Sequence, residues 1–127
     1  MSLYCDIRVA SEDARFAIPE VMLGYIPSAG GSQTLARHVP PAVALRMATT
    51  GEPITAREAY DLGMVHEVVP AADLPAATRR WASLLASRSP QAIRSTKRAI
   101  IEGLDMPLEQ GLALERRLAV ALRARPR

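Results

Sequence analysis

From residue 71 to its end the chain reads as three amphipathic helices in a row, and no other feature constrains its fold as much. Asp73 is a good N-cap for the first, whose Ala77, Trp81, Leu84 and Leu85 fall on one stripe. Ser89-Pro90 opens the second, which runs to about Gly103. Pro107 opens the third, where Leu108, Leu112, Leu114, Leu118 and Leu122 make a broad apolar face with Glu109, Glu115 and Arg116 outside it. Helices patterned this way need an apolar surface to bury against.

What precedes them is short. Residues 5–10 and 15–18 read as strands, the second ended by Pro19, and residues 65–69 read as a third closed by Pro70. Between these lie a helix over 33–38 stopped by Pro40 and another from Pro41 with Ala44, Leu45 and Ala48 on one face, capped by Gly51. Thr55-Ala56-Arg57-Glu58 is a capping box, with Ile54 as the outer half of a staple, and its helix ends by Gly63. The fold class is therefore α/β, a few short strands followed by C-terminal helices, divided into residues 1–70 and 71–127. So small a sheet leaves open edges unless another chain or further sequence covers them.

Hydrophobic residues make up 49% of the 127 but aromatic residues only 4%, so the core is built from Ala, Leu, Val, Ile and Met. No apolar run is long enough to span a bilayer, and no basic segment followed by an apolar stretch begins the chain, so no membrane partner and a cytoplasmic address are expected. The net charge of +3 comes with late basic residues such as Arg94, Lys97, Arg98, Arg116 and Arg117. Solvated helix faces account for them, or a phosphate-bearing partner does. Aromatic residues are too scattered to stack bases, so nucleic acid is not expected. Cys5, the one cysteine, allows no intrachain disulfide and reads as a small buried hydrophobe in a strand. His38 and His66 lack ligand spacing, so no metal is expected.

One segment carries candidate chemistry. Glu20 follows Pro19 and precedes Val21-Met22-Leu23, with Gly30-Gly31 beyond it able to open a helix. Two readings stand on local chemistry alone: a surface carboxylate in an ordinary loop, or one among apolar groups whose desolvation suits it to proton transfer.

Cys5-Asp6-Ile7, Ala14-Arg15-Phe16-Ala17-Ile18-Pro19-Glu20 and Gly24-Tyr25-Ile26-Pro27-Ser28-Ala29-Gly30-Gly31, in that order, resemble the crotonase family of enoyl-CoA hydratases and isomerases. Thr50-Gly51-Glu52-Pro53-Ile54-Thr55-Ala56, then Ala59-Tyr60-Asp61-Leu62-Gly63-Met64-Val65, and Ser89-Pro90 with Thr96-Lys97-Arg98-Ala99, continue the resemblance. It implies a partial crotonase (ClpP/crotonase-like) fold, corresponding to the middle and C-terminal part of a subunit about twice this length. It also implies an acyl-CoA thioester as substrate, no cofactor beyond the CoA it carries, and a homo-oligomer, trimer or hexamer, built by the C-terminal helices. In the family an oxyanion hole stabilises the thioester enolate while a carboxylate moves a proton, each donor contributing about 3–4 kcal/mol. Glu20 corresponds to the family's second glutamate and is the catalytic candidate. Pro19, Leu23 and Ser28 match positions lining the acyl pocket, Ser28 standing where many hydratases have Gly, and plain packing is the other account of all three. For Lys97 and the nearby arginines two accounts stand, contact with CoA phosphates through their charge and a solvated helix face, the latter preferred. The oxyanion donors and first glutamate belong to the half that the resemblance does not cover. This chain alone is therefore expected to be inactive. The alternative is a non-catalytic CoA-binding or assembly module.

Overall fold

The computed structural model describes residues 2–124 and divides the chain into two compact units, Met1–Trp81 and Ala82–Arg127. In the first, a 3-10 turn at Ser2–Tyr4 leads to β1 (Val9–Ser11) and β2 (Arg15–Phe16), then to a second 3-10 turn at Glu20–Leu23. Helices α1 (Gly31–Leu35) and α2 (Pro41–Thr50) follow, then β3 (Ile54–Thr55), α3 (Ala56–Asp61) and β4 (Glu67–Val69). A 3-10 turn at Ala71–Asp73 runs into α4 (Leu74–Ala86), within which the division falls.

Two small ladders frame the first unit. β1 and β4 pair in parallel, Ala10 opposite Val68, whereas β2 and β3 pair antiparallel, Phe16 opposite Ile54. Parallel pairing of neighbours so distant in sequence needs a crossover, supplied here by α1, α2 and α3. Their inner faces make the core: Leu35 and Met47 are 1% exposed, and Ile54, Ala56 and Ala59 are fully buried. Small side chains in α3 let it lie close to the ladders, and the Ala56 N–H donates to the Ala14 carbonyl at 3.0 Å.

The ends of these elements follow local chemistry. Thr55 caps α3 through both halves of the capping box, its hydroxyl accepting from the Glu58 N–H while the Glu58 carboxylate accepts from the Thr55 N–H. The Thr55 N–H, then the Thr55 hydroxyl, donate to the Glu58 carboxylate and hold its carboxyl below its usual range. Gly51 closes α2 in the left-handed region (φ 73°), its N–H on the Met47 carbonyl.

Several expectations are corrected here. Cys5 is exposed and outside any strand, because the Arg8 guanidinium holds the Cys5 and Met64 carbonyls and folds residues 5–7 into a bend. Pairing starts only at Arg8, whose carbonyl accepts from the His66 N–H at 2.8 Å. The helix expected over 33–38 starts at Gly31 and ends at Leu35, since the glycine pair lets the chain turn in early. Asp73 is not an N-cap, because helical turns begin directly after Pro70. Glu67 accepts from the Arg80 guanidinium and, at 2.7 Å, from the Trp81 indole N–H, which ties the middle of α4 to β4. Ala77 is buried on the same side.

The second unit is a helical hairpin of α5 (Pro90–Leu104) and α6 (Leu108–Arg123). Ser89 caps α5 by accepting from the Ala92 N–H. The helices come closest at two glycines: a Cβ on Gly111 would meet the Gly103 carbonyl oxygen at 3.6 Å. Leu114 is the buried centre of the α6 face. Leu108 and Leu112, expected on that face, are exposed (78% and 45%), because the glycine contact turns Gly111, Leu114, Leu118 and Leu122 toward α5 instead.

Candidate functional site

Glu20 sits at the head of a 3-10 turn defined by its neighbours. Pro19 precedes it, Gly24 ends the turn in the left-handed region, and the Glu20 carbonyl accepts from the Tyr25 N–H at 3.0 Å. A proline of fixed φ before the turn and a glycine free to take positive φ after it produce this shape locally. The backbone is thus held, and the half-buried side chain points inward.

Its Oε2 is buried with no hydrogen-bond partner among the described residues. Glu20 lines a cavity of about 450 Å³ within the first unit. Apolar walls come from Leu3, Phe16, Ile18, Leu35, Met47 and Met64, and polar residues from Ser2, Tyr4, Arg15, Ser28 and Thr34. A buried carboxylate oxygen without a partner is costly, and a hydrogen-bond donor brought by a ligand would relieve it.

Ser28 reaches this cavity through a second turn. Ala29 adopts φ 51°, Gly30 follows at φ 82°, and α1 starts at once, with the Gly31 N–H on the Ser28 carbonyl. Ser28 and Glu20, eight positions apart in sequence, therefore share one wall. Pro19 and Leu23 lie outside the cavity lining: Pro19 is exposed and its Cα approaches Gly51, while Leu23 is 74% exposed. The sequence reading did not single out Tyr4, Leu3, Thr34, Met47 or Met64 as lining residues. Nothing local marks them, since folding alone brings them to Glu20.

The second unit has a shallower cleft of about 340 Å³, with Gln91, Arg94, Ser95 and Arg98 on one side and Leu118, Ala121 and Leu122 on the other. Arg98 is paired with Glu102 at 2.9 Å, which lowers the Glu102 carboxyl pKa and raises that of Arg98. Among the described residues no three His, Cys, Asp or Glu side chains gather as metal ligands would. No helix there is long and apolar enough to cross a membrane.

The sequence profile of the family described as enoyl-CoA hydratase/isomerase matches residues 1–125. The 2,3-dehydroadipyl-CoA hydratase of Escherichia coli is 40% identical over 124 residues, covering 98% of this chain and 49% of the relative. The (E)-benzylidenesuccinyl-CoA hydratase of Thauera aromatica is 41% identical over 112 residues, covering 88% and 44%. Among solved structures, an enoyl-CoA hydratase subunit I of Geobacillus kaustophilus superposes with a TM-score of 0.94 at 41% identity, over 97% of this chain and 48% of that one. The chain spans about half the length of the relatives it matches. Its mixed α/β architecture, with few short strands and C-terminal helices, is the crotonase fold over the matched region. The chain belongs to the enoyl-CoA hydratase/isomerase family, the crotonases.

Proposed function

We propose that this chain forms the acyl-binding and proton-transfer part of an enzyme acting on acyl-CoA thioesters, with Glu20 as its carboxylate. One observation carries the reading: Glu20, its Oε2 buried and unpartnered among the described residues, lines a cavity walled by both apolar and polar side chains. In hydration of a 2-enoyl thioester, water's oxygen bonds to the β-carbon and a proton is added at the α-carbon. In double-bond isomerisation a proton leaves one acyl carbon and another is gained elsewhere on the chain. Glu20 serves either course by giving or taking the proton at an acyl carbon, or by orienting water. Ser28 borders the same space. No cofactor is needed beyond the CoA carried by the substrate, and the setting is cytoplasmic.

The oxyanion donors are assigned to the other half of the family fold, so turnover belongs to the complete subunit. A homo-oligomer fits the exposed apolar side chains of the second unit, among them Ile100, Leu104 and Leu108. The test is a steady-state crotonyl-CoA assay of this chain alone and of the chain joined behind the first half of the Escherichia coli relative. Saturable turnover is expected of the joined protein only. A folded joined protein that binds no acyl-CoA would overturn the reading.

A further inference from the structure

Ala29 is the one non-glycine residue among those described with a positive φ, 51°. An L residue with a Cβ takes this conformation only where its surroundings hold it there. The alanine has no polar side chain to bond its own backbone, as Asn or Asp would. What holds it comes from 25 residues earlier: the Tyr4 hydroxyl donates to the Ala29 carbonyl at 2.9 Å. The same hydroxyl fills the space beside Gly30, where an added Cβ would lie 2.3 Å from it. Tyr4, Ser28, Ala29 and Glu20 all line one cavity.

We infer that Tyr4 is a positioning residue of this site: its O–H clamps the Ala29-Gly30 turn in the left-handed form and so sets the cavity wall that Ser28 and Ala29 share with Glu20. The consequence for an acyl group rests on the function proposed above, whereas the clamp does not. Tyr4 acts on the cavity through Ala29, without needing to touch a reacting atom. Residue 30 favours glycine through its φ of 82°, and a Cβ there would also displace the Tyr4 hydroxyl.

Two measurements test this on the 127-residue chain. Amide hydrogen exchange reads the clamp directly, since the Gly31 and Thr34 N–H groups bond the Ser28 and Gly30 carbonyls at 3.1 and 2.8 Å. In Tyr4→Phe both should exchange roughly 5-fold faster, the loss of one ordinary hydrogen bond. The Met64 amide, bonded to the Ala59 carbonyl, should be unchanged. Unaltered exchange at Gly31 and Thr34 overturns the clamp.

Calorimetric titration with butyryl-CoA and with free CoA reads the consequence. Tyr4→Phe should lower the preference for butyryl-CoA about 3- to 10-fold and leave free CoA unaffected. Adding Ala29→Gly should restore the preference, because glycine takes positive φ without the clamp. A preference equal to wild type in Tyr4→Phe overturns the positioning role. A wild-type chain without any preference overturns the acyl-CoA reading instead, and the exchange result still decides the clamp.

Discussion

A Cβ placed on Gly51 would lie 2.7 Å from Cγ of Met22, so the end of α2 and the turn carrying Glu20 approach as closely as glycine permits. Gly51 also has φ 73°, where a side chain is strained whatever the space around it. Gly51→Ala should therefore destabilise the chain by about 1–2 kcal/mol, most of it backbone strain. Met22 is largely exposed and its end can swing away, so Met22→Ala in that background should recover only the smaller part. Urea unfolding of both single variants and the double variant measures the split.

The capping box gives a second expectation. Thr55→Ala removes the hydroxyl that accepts from the Glu58 N–H, and the loss should be about 1 kcal/mol, within the usual range for N-caps. Thr55→Ser keeps the acceptor and should cost much less. The midpoint of urea unfolding separates the two.

Glu67 supplies a pH dependence. The Arg80 guanidinium, then the Trp81 indole N–H, hold its carboxyl below the ordinary glutamate value of 4.5. A carboxylate more acidic when folded adds stability that is fully present above the unfolded pKa. That stability is lost as pH falls through the folded value. The stability difference between wild type and Glu67→Gln should thus be constant near neutrality and shrink below about pH 4.5. Trp81, the chain's single tryptophan, reports it: its emission should shift over the same acid range in wild type and not in Glu67→Gln.

At the α5/α6 contact, volume decides the outcome. A methyl on Gly111 would meet Gly103 at ordinary contact distances of 3.6–3.7 Å, in a helix interior. Gly111→Ala should then stabilise by roughly 0.5–1 kcal/mol through helix propensity. Gly111→Leu should do the reverse by forcing the helices apart. Thermal melts followed by far-UV circular dichroism distinguish the signs.

These relationships show which parts of the structure were legible in the sequence. Thr55 with Glu58, Gly51 after α2 and Ser89-Pro90 before α5 are decided within one helical turn, and each can be read from its neighbours. Cys5 and Leu108 were misread because their burial depends on distant partners. The Arg8 side chain pulls residues 5–7 out of the strand, and the Gly103–Gly111 contact sets which leucines of α6 turn inward. The site divides in the same way. Glu20 stands out from its own segment, but Leu3, Tyr4, Met47 and Met64 join it only through the parallel and antiparallel ladders that close the first unit.

The most direct measurement is crotonyl-CoA turnover by this chain joined behind the first half of the Escherichia coli relative, comparing Glu20 with Glu20→Gln. The amide keeps the shape of the carboxylate and can neither give nor take a proton, so kcat should fall roughly 10²- to 10⁴-fold with the melting curve and CoA affinity unchanged. An undiminished kcat in Glu20→Gln would contradict the assignment of Glu20 as the proton-transfer group.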